Sequence, residues 1–273
     1  MAQADMPLLD LPLVAPDRVV SGFQPLKVLH HYGKLVEDKE DTEQVFHIIE
    51  ATKGKKSHKQ AWDFIKSADG QRLMREQEVI PPMLDDHARW ADLPENSVGK
   101  HYIRFMEREG LTAQGLVDES HKWAPPEERP HDQTEWYFDR LRDTHDLFHV
   151  LTGYGRDALG ESSLLGFSFA QNHNKGVFFI AYAGAHQIKK VTGTKAPLYS
   201  SIREGQRLGK AAEKLAHLDV EALMQEDIDE ARARLNVGKP VIYRECLAIL
   251  DAEGFGLEEI DISSKSPVEP QAA

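Results

Sequence analysis

An all-α fold is predicted by three features of the 273-residue chain. Apolar residues recur at helical spacing through most of its length. Strand-like alternation never lasts more than a few residues. There is no internal repeat, and no shift of composition divides the chain convincingly. The expectation is a single-domain helical bundle of roughly eight to eleven helices over residues 25–260.

Residues 1–24 hold Pro7, Pro12 and Pro16, and Pro25 follows, so they are expected to form an extended N-terminal arm, laid on a surface or left mobile. In "DTEQVFHIIEATKG" Val45, Ile48 and Ile49 share one helical face, and Gly54 is read as the stop. "HKQAWDFIKSADGQRLMREQ" reads as one helix to Ser67 and another after Asp69. "SVGKHYIRFMEREGL" is helical and stops at Gly110. The prolines and charges of "KWAPPEERPHDQ" make a loop. Helices resume at Thr134 and continue to "PVIYRECLAILDAEG", with "GKPVIY" read as loop into helix rather than strand. Residues 261–273 are expected to be a flexible tail.

Hydrophobic residues at 41% and charged residues at 29% are ordinary for a soluble globular protein. A net charge of −12 repels a phosphate backbone, so nucleic acid is not an expected partner. Cys246 is the one cysteine, which excludes an internal disulfide and thiolate metal clusters and fits a reducing compartment. It has no obvious histidine partner, and nucleophilic catalysis is set aside. The acidic, broken N-terminal stretch reads as neither an export signal nor a transit peptide. No apolar run reaches the ~18 residues of a membrane span.

The informative stretch is "RLRDTHDLFHVLTGYGRDALGE", from Arg140 to Glu161. Thr134 is a plausible N-cap, Glu135 favours the first turn, and Gly153 suits the residue after the last turn. A helix of about five turns is expected between them. With His145 at zero on the helical wheel, His149 falls at about 40°, Arg142 at about 60°, Asp146 at about 100° and Asp139 at about 120°. Tyr137, Leu141, Phe148 and Leu151 occupy a separate apolar arc from about 240° to 320°, and Phe138, at about 20°, lies among the ionisable residues. His145 and His149 are spaced i, i+4, so both imidazoles reach one ion, as in the HExxH zinc helix. Asp146 can reach the same ion. Gly153 and Gly155 can reverse the chain, and Asp157 can cap a second helix. On that helix Glu161 shares a face with Ala158, Leu164, Leu165 and Ser168. A carboxylate on an apolar face is costly unless paired or metal-bound. The competing reading is a buried polar network of the two histidines, Asp146, Arg142 and Glu161 that joins two helices. The other eleven of the thirteen histidines show no comparable spacing.

"HDLFHVLTGYGRDALGE" resembles the HDxxH, eleven residues, then Glu motif of the Coq-four family of coenzyme Q biosynthesis proteins. The preceding "RLRDTHD", the Gly160-Glu161 pair and the segments "REGQRLGKAAEKLAHLDVEAL" and "IDEARARLNV" agree with it. The resemblance covers most of residues 25–250 and is strong from about 135 to 240. It implies an all-α fold and a divalent ion, usually given as zinc, with His145, Asp146, His149 and Glu161 at the matching ligand positions. Iron or manganese would also suit two histidines with carboxylates. The family is implied to act in oxidative decarboxylation at C1 of a polyprenyl-hydroxybenzoate. The alternative is a non-catalytic lipid-binding scaffold that organises the ubiquinone-synthesis enzymes. Zinc has no redox chemistry, so a zinc enzyme would need dioxygen acting on the electron-rich ring.

Partners implied are an isoprenoid-tailed aromatic lipid, other ubiquinone-synthesis enzymes and a membrane surface bound peripherally; a homodimer is compatible with this reading. "SSLLGFSFAQNHNKGVFFIAYAGAHQIKKV" is either a buried helical hairpin or the wall of an internal apolar channel for the tail, and the two readings can coexist. Candidate substrate contacts are Phe138, Arg142, Leu164, Leu165, Phe167 and Phe169. The basic clusters "KGKK" from Lys53 and "KKVTGTK" from Lys189 are solvated faces or contacts to anionic lipid. The family's mitochondrial members carry a transit peptide and none is readable here, so the expected location is the bacterial cytoplasm, peripheral on the inner membrane face.

Overall fold

The computed structural model describes residues 6–19, 22–37, 42–77 and 79–256. The expected flexible tail and the first five residues of the arm lie outside the described residues. Among the described residues there are fifteen α-helices and no strand, only an isolated bridge between Ser97 and Asp227. The helices are α1 (Pro25–Glu37), α2 (Thr42–Glu50), α3 (Lys55–Ile65), α4 (Ala68–Glu76) and α5 (Pro81–Asp85). Next come α6 (Val98–Glu109), α7 (Ala113–Trp123), α8 (Gln133–Asp143), α9 (His145–Thr152) and α10 (Ala158–Asn172). The last are α11 (Lys175–Thr192), α12 (Leu198–Ala211), α13 (Val220–Gln225), α14 (Ile228–Arg234) and α15 (Val241–Ala252).

The all-α class is as expected, and the helix count is higher. Helices α5, α13 and α14 are five to seven residues long, too short to show a periodic pattern. The expected five-turn helix from Thr134 is also two helices, α8 and α9, broken at Thr144. None of these helices is long and apolar enough to cross a membrane.

The chain divides into two compact units. Unit one comprises Met1–Ser21, Gly54–Leu151 and Lys214–Arg234. In it α3 packs on α4 and α8, α7 on α5 and α8, and α6 on α13 and α14. Its core joins Leu8, Ala61, Phe64, Ile65, Leu73, Met74, Trp136 and Tyr137. Fully burying side chains of this size contributes about 1.5–3 kcal/mol each. The arm is laid down on this core as a strap. Leu9, Leu11 and Leu13 pack against it, and the Gln133 amide donates to the Pro12 carbonyl at 3.0 Å. Arg18 closes the strap on the Asp132 carboxylate, 2.6 Å away, with both side chains nearly inaccessible to solvent. Asp132, not Thr134, therefore caps α8, accepting from the Glu135 amide at 2.8 Å. The Thr134 hydroxyl instead donates to the Leu13 carbonyl and accepts from the Trp62 indole at 3.0 Å.

Unit two comprises Gly22–Lys53, Thr152–Glu213 and Leu235–Ala273. The "SSLLGF…" stretch forms the expected helical hairpin of α10 and α11, and α12 packs closely along α10. A Cβ at Gly205 or Gly209 on α12 would collide with the main chain of Ser163 or Phe167 on α10, so glycine sets the helix–helix distance. The Ser163 and Ser201 hydroxyls satisfy each other inside this contact at 2.7 Å. Helix α2 packs on α1 and α11 around Val28, Ile48, Ala51 and Ile180. The Glu204 carboxylate accepts from the Ile242 amide at 2.8 Å and so caps α15, whose own N-cap, Pro240, makes no side-chain cap.

Candidate metal centre

Helix α8 stops because Thr144 turns out of helical geometry, at φ −94° and ψ 2°. Its hydroxyl donates back to the Arg140 carbonyl at 2.7 Å, a local competition that bends helices without glycine or proline. Helix α9 starts at the next residue, so His145 and Asp146 lie in its first turn and His149 one turn on. The imidazoles of His145 and His149 meet edge to face with centroids 5.0 Å apart. One ligand atom each from His145, Asp146 and His149 lie within 4.8 Å of one another. Bonds of about 2.1 Å to a tetrahedral ion would separate donors by roughly 3.4 Å, so the three side chains need to close by at most about 1.4 Å. Two imidazoles and a carboxylate, without thiolate, suit zinc, iron or manganese, and the residues present fit a divalent cation.

The surroundings are built by three other elements of unit one. The Phe105 ring of α6 lies nearly parallel to the His149 ring at 5.4 Å, and His149 is 1% exposed. Tyr102, one turn earlier on α6, is completely buried, and burial together with the negative charges of Asp146, Asp85 and Asp143 pushes its phenol pKa up. Burial pushes the Asp143 carboxyl up to about 6, against the pull of Arg142, whose guanidinium lies 2.8 Å away. At the far end of α9, Arg232 of α14 donates to the Leu151 and Val150 carbonyls at 2.9 and 3.0 Å. These are carbonyls that a helix end leaves without partners, and a cation there also complements the helix dipole. An ionic ladder along α8 runs from Arg18 through Glu135, Arg129 and Asp139 to Arg142 and Asp143.

Gly153 takes φ 77° just after the last residue of α9, and Asp157 caps α10 through the Leu159 and Gly160 amides at 3.1 and 2.9 Å, as expected of these two residues. The Tyr243 hydroxyl, which bonds Asp157, also accepts from the Gly155 amide at 3.0 Å. Glu161 sits in the first turn of α10, in unit two, with a side chain 33% exposed and Arg156 at 3.6 Å. The cost expected of a carboxylate sealed on an apolar face is therefore smaller than the sequence implied, because solvent and a guanidinium both reach it.

The other candidates are spread over the two units. Phe138 packs beside His58 at 5.3 Å in unit one, and Arg142 donates to Ser120 at 2.8 Å. On α10, Leu164 and Phe167 are fully buried, Leu165 packs on the α1–α2–α11 core, and Phe169 meets Phe178 at 4.9 Å. Of the basic clusters, Lys53 pairs with Glu50 at 2.7 Å, and Lys189 donates to the Thr194 carbonyl at the end of α11. Burial pushes the Cys246 thiol up to about 12, leaving it protonated and a poor nucleophile.

A sequence model of the family described as coenzyme Q (ubiquinone) biosynthesis protein Coq4 matches residues 28–241. The chain is similar to the ubiquinone biosynthesis protein coq4, mitochondrial, of Penicillium rubens, with 28% identity over 178 residues, 64% of this chain and 59% of that protein. It is 25% identical over 185 residues to the COQ4 protein of Podospora anserina, 66% of this chain and 57% of that one. The chain thus spans about three fifths of the length of these curated relatives. A crystal structure described as a candidate ubiquinone biosynthesis protein from Nostoc punctiforme shares the fold, with a TM-score of 0.60 at 22% identity, covering 80% of this chain and 100% of that one.

The relatives overturn the expected location. The curated fungal proteins are named as mitochondrial, which points away from a bacterial cytoplasm. That expectation came from the absence of a readable leader in an acidic N-terminal stretch, and such an absence fixes no compartment. The match over most of the length, on a chain that gathers His145, Asp146 and His149 at one helix face, leads to one assignment: the chain belongs to the coenzyme Q (ubiquinone) biosynthesis protein Coq4 family.

Proposed function

We propose that the chain carries out a metal-dependent step of ubiquinone synthesis, the oxidative decarboxylation at C1 of a polyprenyl-hydroxybenzoate. The observation that carries this reading is the convergence of His145, Asp146 and His149 on α9, inside the segment matched by the family. By the family motif Glu161 is the fourth ligand, and zinc is the first candidate, with iron and manganese as alternatives. A bound divalent cation supplies Lewis acidity toward the carboxylate and phenolic oxygens of the substrate. His145 and His149 offer ring nitrogens and Asp146 a carboxylate. Phe105 covers the His149 ring and keeps water from that side. Loss of carbon dioxide and gain of a hydroxyl take two electrons from the aromatic ring, and dioxygen is the acceptor the reaction requires if the metal is zinc.

The isoprenoid tail needs an apolar channel, and Leu164, Leu165, Phe167 and Phe169 on α10 supply the side chains for it. Each methylene buried contributes about 0.8 kcal/mol, so a long tail leaves a bilayer only for a comparably apolar site. A peripheral membrane contact, other ubiquinone-synthesis enzymes and a second copy of the chain are the partners of this reading.

Complementation tests it. A strain lacking its own family member should accumulate the carboxylated precursor, and the wild-type chain should restore ubiquinone while His149→Ala should not. Equal rescue by both would replace catalysis with the non-catalytic, lipid-binding scaffold.

A further inference from the structure

The Tyr102 hydroxyl is fully buried and makes no hydrogen bond among the described residues. Buried polar groups nearly always find partners in protein, ordered water or a bound ion, so the surroundings of this hydroxyl decide which of these it meets. Its position narrows the choice. Tyr102 and Phe105 are spaced i, i+3 and so share one face of α6, and Phe105 lies on the His149 ring. The carboxylates whose charges reach Tyr102 are Asp146 first, then Asp85 and Asp143. Two of these are engaged elsewhere. Asp85 accepts from the Ala113 and Gln114 amides at 2.7 and 2.9 Å and so caps α7. Asp143 is held by Arg142 at 2.8 Å. Asp146 belongs to the metal cluster and stands three residues before His149 on α9, as Tyr102 stands three before Phe105 on α6, so the stacked Phe105 and His149 rings bring these two helix faces together.

We propose that Tyr102 is a positioning residue of the metal centre, whose phenolic O–H donates to the Asp146 carboxylate once a divalent cation occupies the site and fixes which oxygen Asp146 turns to it. The inference rests on the reading of His145, Asp146 and His149 as ligands. A neutral phenol is a good donor to a carboxylate that is itself a ligand. The Tyr102 O–H has no protein partner among the described residues, and a cation-bound Asp146 carboxylate would give it one.

Cobalt(II) serves as the probe, since its visible absorption reports ligand geometry. The purified full chain is stripped of metal and titrated with Co²⁺ as wild type, Tyr102→Phe, Asp146→Asn and the double variant. Tyr102→Phe should leave the metal-free Tm at or above wild type, because it removes a buried group without a partner. It should weaken Co²⁺ binding about ten- to a hundred-fold and shift the absorption bands. In the Asp146→Asn background the same substitution should cost nothing further. Wild-type Co²⁺ affinity and spectrum in Tyr102→Phe overturn the proposal and leave the metal centre standing. A metal-free Tm well below wild type also overturns it, by assigning the hydroxyl to folding. An undiminished loss in the Asp146→Asn background overturns the choice of Asp146. Absence of Co²⁺ binding by the wild type removes the metal reading itself, and the role of Tyr102 with it.

Discussion

Acid should weaken unit one through His217, and the size of the effect follows from its surroundings. The ring stacks on Phe64 at 3.8 Å, and its Nε2 lies 3.2 Å from the Tyr137 hydroxyl. Gln60 donates to that hydroxyl at 3.1 Å, so the hydroxyl proton points to His217, which accepts as neutral imidazole. Burial, with the positive charges of Lys214 and Arg140, lowers the pKa of the ring from 6.5 to about 4. Protonation would remove the acceptor and place a third cation beside two others. Because the folded value is below the unfolded one, the stabilisation is fully present above pH 6.5 and lost as the pH falls toward 4. At about 1.4 kcal/mol per pKa unit the gap corresponds to about 3.5 kcal/mol, an upper bound because the ring is not fully sealed from solvent. Urea unfolding between pH 7.5 and 4 measures it. His217→Gln should be less stable than wild type at pH 7.5 and should lose less on acidification, so the two stability curves converge. Parallel curves would refute the assignment to His217.

Two further substitutions test the packing. Arg18→Ala strands the buried Asp132 carboxylate, which among the described residues keeps the Ala15 and Glu135 amides as donors. It should cost about 3 kcal/mol in denaturant unfolding, the low end for a broken buried pair. Gly205→Ala drives a methyl into the Ser163 carbonyl of α10 and should cost about 1–3 kcal/mol, read as a lowered Tm.

What the sequence made legible was local. Two histidines one turn apart on a helix must share a face, and the structure brings Asp146 to them as well. Gly110 and Gly153 end their helices at φ 65° and 77°, and Asp157 caps α10, because turn and cap chemistry is written in neighbouring residues. The break at Thr144 was not legible, since threonine inside an amphipathic pattern looks the same whether or not its hydroxyl bonds back to Arg140. The choice of Asp132 over Thr134 as N-cap depends on Ala15 and Arg18, more than a hundred residues away. Phe105 and Arg232 carry no distinguishing spacing in the sequence, and only tertiary contact assigns them to α9. Glu161 was legible as a motif position but not as a one-third-exposed side chain beside Arg156.

The central proposal is that His145, Asp146 and His149 hold one divalent cation. Element analysis of the purified chain, after dialysis against metal-free buffer following zinc, iron(II) or manganese loading, tests it most directly. About one equivalent of one metal is expected in the wild type, none in His149→Ala, clearly less in Glu161→Ala, and the wild-type amount in His101→Ala, which removes a half-buried histidine bonded to Asn96. Metal retained at the wild-type level by His149→Ala, or absent from the wild type under all three loadings, would contradict it.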